Sequence, residues 1–259
     1  MSENILITSG KGGVGKTTFA INFGLMLAKK GKRVVLLDFD FGLNNLDVVG
    51  NIENLVVFDL LDIVSGCCRV KQALVKSPYS ENLYILPTTH SLSKSDNDID
   101  FSYIFNQLNV SFDYVIVDSP AGIDLGFHRA VSCCNKAIVI TTPHLSSIRD
   151  ASKVIAILKS YNLESLKVAI NRVRGDLVLQ GEMYSVEVIE NILNVEILGI
   201  IPESDSFNNG VIDIPKSESE KAYKIIADNF LNNDNKIYDY LKRYKGFFGS
   251  IRKELKKRL

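Results

Sequence analysis

The sequence predicts an α/β fold: a doubly wound, mainly parallel sheet of about seven strands with helices on both faces. Three observations predict it. Short β-branched runs alternate with helical patterns along most of the 259 residues. Several runs are apolar at nearly every position, as strands covered on both faces are. A glycine-rich segment stands between the first such run and the first helical pattern, where α/β proteins place a ligand loop.

The elements follow in order. Ile5–Thr8 reads as the first strand, and Thr17–Lys30 as a helix stopped by Gly31, a residue suited to the left-handed position beyond a helix end. Further strands are expected at Arg33–Asp38, Leu83–Leu86, Tyr114–Asp118 and Ala137–Thr141. Ser146–Tyr161 carries Ile148, Ala151, Val154, Ile155 and Leu158 at helical spacing. A strand at Lys167–Asn171, a helix at Met183–Leu193, a strand at Glu196–Ile201 and a helix at Glu218–Leu231 complete the set. No internal repeat and no Pro/Gly/Ser-rich linker divides the chain. One domain is expected over 1–232, and 233–259 is read as a polar joint (Asn232-Asn233-Asp234-Asn235) followed by a basic tail.

Composition narrows the function classes. At 46% hydrophobic and 23% charged residues, the chain can bury a sizeable core. Its 30 basic and 30 acidic residues cancel, but not evenly. Lys242–Leu259 holds eight basic residues and one acid, so the tail carries +7 and the rest −7. An acidic body argues against a broad nucleic-acid surface, and the tail argues for a local anionic partner. No apolar run approaches the roughly 18 residues of a membrane span. Met1-Ser2-Glu3-Asn4 leads straight into a strand without a signal-peptide pattern. The cysteines form two adjacent pairs, Cys67-Cys68 and Cys133-Cys134, and the three histidines show no metal-ligand spacing. A cytoplasmic protein is expected.

Gly10-Lys11-Gly12-Gly13-Val14-Gly15-Lys16-Thr17 fits G-x-x-x-x-G-K-[ST], the phosphate-cradling P-loop. Its glycines let backbone N–H groups turn toward phosphate oxygens, and the following helix adds its positive end. Lys16 is expected to reach the β- and γ-phosphates, and Thr17 to ligate Mg²⁺, with Thr18 beside it. Asp38 and Asp40, in Leu37-Asp38-Phe39-Asp40, leave the second strand where its loop would overhang the phosphates. They are candidates for the metal and for the attacking water. Val115-Ile116-Val117-Asp118 ends in a carboxylate suited to hold Mg²⁺ through water. The Gly122 N–H, in the loop that follows, could sense the γ-phosphate. No Asn-Lys-x-Asp guanine motif occurs, so ATP is expected rather than GTP.

The second lysine of KGGVGKTT, Lys11, resembles the deviant Walker A signature of the ParA/MinD superfamily of P-loop NTPases. That resemblance implies a nucleotide-sandwich homodimer in which Lys11 reaches the other subunit's phosphates, as an arginine finger does. It also implies adenine contacts at Asn171-Arg172 and at Ile201-Pro202-Glu203. Within the superfamily, SGKGGVGKTT (9–18), DFDFGLNNLDVV (38–49), VVFDLLDIVSG (56–66), ENLYILP (81–87), FDYVIVDSPAGI (112–123), SSIRDASKVI (146–155), LGIIPES (198–204) and KGFF (245–248) resemble the septum site-determining branch. Asn44 stands where many of its members have an arginine, near the surface that the family uses for partners. The resemblance implies slow ATP hydrolysis unless a partner activates it, recruitment of a MinC-like division inhibitor, and release by a MinE-like activator.

The tail points the same way by itself. At 100° per residue, Phe247, Phe248, Ile251, Leu255 and Leu259 share one stripe, with Lys253, Lys256 and Lys257 opposite or beside it. A basic amphipathic helix of this kind reads as a binder of anionic membrane surfaces, which would place the protein on the cytoplasmic face of the cell membrane. The competing readings are a flagellar-number regulator of the same superfamily, a DNA-partitioning ATPase, and an iron–sulfur reductase using Cys133 or Cys134.

Overall fold

The computed structural model describes residues 2–41, 45–88, 99–204, 207, 208, 210–212 and 214–244. The strands are β1 (Glu3–Thr8), β2 (Val34–Asp38), β3 (Val75–Lys76), β4 (Leu83–Leu86), β5 (Tyr114–Asp118), β6 (Lys136–Thr141), β7 (Ser165–Val173), β8 (Ile197–Pro202), β9 (Phe207–Asn208) and β10 (Val211–Ile212). The helices are α1 (Lys16–Lys29), α2 (Leu46–Val49), α3 (Leu60–Val64), α4 (Val70–Ala73), α5 (Ser102–Ser111), α6 (Leu125–Ser132), α7 (Leu145–Leu158), α8 (Gly175–Leu179), α9 (Val186–Leu193) and α10 (Glu218–Asn232).

Eight strands form one sheet in the order β3-β4-β2-β5-β1-β6-β7-β8. All neighbours are parallel except the edge pair β3–β4. The seven expected strands are all present, and the eighth is the two-residue β3, too short to carry a period. Alternation splits the core into two layers, because successive side chains of a strand point to opposite faces. Ile5, Ile7 and Ile116 join the layer under α1 and α10. Leu6, Val115 and Val117 join the layer under α5, α6, α7 and α9.

One buried polar residue ties a remote hairpin to this frame. Asn22, in the otherwise apolar α1, donates from Nδ2 to the carbonyls of Thr18 and Gly210, each at 2.7 Å. Its Oδ1 accepts from the Ile212 N–H at 2.9 Å. Asn22→Ala leaves the partly buried Gly210 and Ile212 backbone groups unpaired and is expected to cost about 2 kcal/mol, read as a lower urea midpoint with unchanged slope.

Past α10, residues of the expected polar joint stay on the body. Asn229 bonds Leu198 and both backbone groups of Lys236, and Tyr238 and Tyr240 pack on the core. Phe247, Phe248, Ile251 and Leu255 lie outside the described residues, as does Asn44.

Candidate functional site

The site gathers at the carboxyl ends of the central strands, where parallel sheets leave a crevice. Residues 10–15 leave β1 and enter α1 there. Gly10 crosses α7 so closely that a Cβ would collide with the Asp150 carbonyl. Gly15 caps α1 with φ 96° and no side-chain cap bond, which leaves the first amides of α1 turned toward an incoming anion. A Cβ on Gly15 would also sit 2.5 Å from Asn171 Nδ2. Both positions therefore require glycine.

Three adjoining cavities surround this loop and share Arg172. The first, about 500 Å³, is lined by Lys16, Thr17, Thr18, Asp40, Asn45 and Pro120, with Gly12 and Gly13. The second, about 380 Å³, is lined by Thr18, Asn171, Pro202, Glu203, Phe207 and Gly210. The third, about 260 Å³, is lined by Lys11, Val14, His144, Ser147, Met183 and Glu203. The structure thus brings the expected phosphate and base segments together on either side of Thr18. Lys11 is exposed and lines the third cavity, whereas Lys16 and Asp40 line the first. Arg172 holds φ 57° at an irregularity in the β7–β8 pairing.

Asp38 and Asp118 end neighbouring strands in direct register. They behave differently. Asp38 was expected near the metal, but it accepts the Asp40 N–H at 3.0 Å and the Leu46 N–H at 3.2 Å through its two oxygens. Its carboxylate shapes the turn between β2 and α2 and, like that of Asp118, is buried. Asp118 is hydrogen-bonded by the Thr17 side chain, yet its Oδ1 is buried with no partner. An orphaned carboxylate oxygen beside a threonine hydroxyl and the cavity-lining Asp40 is a hard-oxygen set that fits Mg²⁺. The Gly122 N–H, expected to sense the γ-phosphate, donates to the Ser9 carbonyl at 2.9 Å, where the chain folds back on the strand end before α6. Asn171 likewise braces the loop, donating to the Val14 carbonyl at 2.8 Å and accepting from Arg172 N–H.

Burial raises the Asp118 carboxyl to about 6, opposed by the Thr17 hydrogen bond and the Lys16 charge. Asp38 is pushed up by burial and then by the Asp118 charge. Between the unfolded carboxylate range and about pH 6 the folded chain therefore holds a proton that the unfolded chain has released. Stability from this site is greatest at the acid end and falls as pH rises through that window. In the absence of Mg²⁺, Asp118→Asn is expected to stabilise the chain by about 2 kcal/mol at pH 7.5. The gain should shrink toward pH 5 when melting is followed in EDTA.

Sequence reasoning missed Asn22, Asn45, His144, Phe207 and Gly210. Only Asn22 carried a signal, a lone amide inside the apolar run FAINFGLMLA. Cys133 and Cys134 lie at the amino ends of the central strands, opposite the site, where Asn4 Nδ2 bonds the Cys133 carbonyl. Burial holds both thiols above their ordinary range, so neither is placed or ionised for a cluster beside the loop.

Residues 2–171 match the family described as an AAA domain. The chain is similar to the septum site-determining protein MinD of Bacillus subtilis (strain 168), 40% identical over 261 residues and covering 97% of each chain. It is similar to the MinC:MinD cell division protein complex of Aquifex aeolicus, with TM-score 0.79 and 42% identity over 90% of this chain and 97% of that one. It is also similar to MinD complexed with Mg-ADP from Pyrococcus horikoshii OT3, with TM-score 0.78 and 27% identity over 89% and 96% of the two chains.

Proposed function

The chain belongs to the MinD family of septum site-determining ATPases, and on that premise we propose that it is an ATP-driven membrane switch that recruits a division inhibitor. Similarity spanning 97% of both chains carries this reading, and the relative solved with MinC supports a MinC-like partner. The Mg-ADP complex of another relative supports nucleotide and metal use.

Lys16 and the open amides at the start of α1 hold the phosphates. Thr17 and, through water, Asp118 are the residues that would hold Mg²⁺, which supplies charge neutralisation when bound. Asp40 orients the attacking water, and Asp38 keeps Asp40 in place through its backbone N–H. Arg172, Pro202, Glu203 and Phe207 receive the base in the second cavity. Exposed Lys11 is free to serve a second subunit's phosphates, which makes hydrolysis a property of the homodimer. An activator of the MinE type would act on that dimer.

Among the described residues no helix is long and apolar enough to cross a membrane; the basic amphipathic pattern of the 245–259 tail makes it the proposed membrane contact. The acidic body disfavours the DNA-partitioning reading. Co-sedimentation with anionic liposomes under ATP, ADP and no nucleotide tests the proposal, with duplex DNA alongside. ATP-dependent pelleting with lipid supports it; salt-sensitive, ATP-dependent DNA binding without lipid binding overturns it. Asp40→Ala is expected to retain ATP binding while hydrolysis falls by about 10²–10³-fold, measured as phosphate release. Full hydrolysis in that variant would move water orientation elsewhere.

A further inference from the structure

The wall of the second cavity is shared between two elements. Thr18 belongs to α1, while Phe207 and Gly210 belong to the β9–β10 hairpin. Asn22, wholly buried and one turn along α1 from Thr18, bridges the two. The orientation of its amide is fixed by its partners. Nδ2 meets the carbonyls of Thr18 and Gly210, and Oδ1 meets the Ile212 N–H; the flipped amide would set an oxygen against two oxygens. Burial of Val211 and the edge contact of Phe207 on Tyr223, 6.4 Å between ring centres, also hold the hairpin on the layer under α1 and α10. Such apolar contacts are non-directional, and two residue pairs do not stabilise a hairpin in water. Three directional bonds from one side chain fix where it sits. Gly210 completes the fit: at φ 88°, a Cβ on it would lie 2.9 Å from Val49 Cγ1 of α2 and 3.5 Å from Thr18 Oγ1.

We propose that Asn22 is a positioning residue for the nucleotide's base. Without touching the ligand, it holds Phe207 and Gly210 at the spacing from Thr18 that the base requires. A wall set in place before the ligand arrives spares the cost of ordering it on binding. A wall that samples other positions lowers apparent affinity by the fraction of time it is out of place. The phosphates are held by the loop before α1 and owe nothing to the hairpin, so the effect is confined to the base. The proposal rests on the second cavity receiving the base; its addition is that a buried amide in α1 sets that cavity's shape.

The test compares ADP with inorganic pyrophosphate, each titrated with Mg²⁺ by calorimetry into the full chain. Asn22→Leu keeps much of the side-chain shape and removes the amide. Gly210→Ala leaves the amide and displaces the hairpin from its other side, and it carries the test alone if the leucine chain does not fold. ADP affinity should fall about tenfold in each variant, while pyrophosphate affinity stays within about twofold of wild type. In hydrolysis by Asn22→Leu, KM for ATP should rise about tenfold with kcat within about twofold, the pattern of binding lost equally from ground and transition states. Equal losses for ADP and pyrophosphate would make Asn22 a residue of stability alone and overturn the proposal. A wild-type preference for ADP over pyrophosphate that both variants keep would overturn the positioning role and leave the base reading standing. A wild-type chain that binds ADP no more tightly than pyrophosphate would overturn the base reading, and the proposal with it.

Discussion

Lys16→Ala is expected to lower ATP affinity on the order of several hundredfold, because two charge-assisted contacts to phosphate are lost together. Lys11→Ala is expected to behave otherwise. Its side chain is exposed beside the third cavity rather than with Asp40 in the first, so monomer affinity should stay within about threefold of wild type. What it should lose is ATP-dependent dimerisation, and hydrolysis with it. Titration with a fluorescent ATP analogue at low protein concentration, and sedimentation velocity at high concentration, separate the two effects. Equal loss of monomer affinity in both variants would place Lys11 in its own subunit's site.

The second large effect concerns lipid. One tail offers a few apolar side chains, each worth at most about 1.5–3 kcal/mol, less the cost of ordering the helix. Its cations add roughly 1 kcal/mol each near anionic lipid before screening. Gly246 and Gly249 weaken the helix in water by about 1 kcal/mol each, so one tail is a weak anchor. On the proposed reading, pairing around ATP presents two, and effective concentration should raise avidity on the order of a hundredfold without a new contact. Liposome pelleting is expected to be strong with ATP, weak with ADP, and sensitive to salt and anionic lipid. Phe248→Glu should abolish it while dimerisation by sedimentation stays intact. Equal pelleting of ADP and ATP forms at physiological salt would refute the avidity mechanism even if the tail is the anchor.

Much of this architecture was legible because buried parallel strands announce themselves by composition. Leu83–Leu86 and Tyr114–Asp118 have the expected bounds, and the others differ by one or two residues at their ends. Crossover helices α5 and α6 were not read from pattern, since each buries only three side chains. The need for a crossover between consecutive parallel strands of one sheet could have supplied them. At the site, residue type was legible and hydrogen-bond commitment was not. Asp38, Gly122 and Asn171 lie among the nucleotide segments as expected, yet each spends polar groups on the loop itself. For Gly122 and Asn171 the partners are Ser9 and Val14, which no local window contains. The β9–β10 hairpin has two residues per strand, below any period.

The position of β1 has a consequence for synthesis. Though it precedes the other described strands in the chain, it lies inside the sheet and pairs with β5 and β6, more than a hundred residues downstream. Until those strands emerge it is an apolar segment with both edges open, the kind of species that aggregates or engages chaperones. The loop after it waits longer still, because its Val14 carbonyl is held by Asn171. A nascent or truncated chain ending before β7 would carry every residue of the phosphate loop and lack the brace that shapes it. Fragments released early in translation are therefore expected to bind nucleotide poorly, read by titration with a fluorescent ATP analogue.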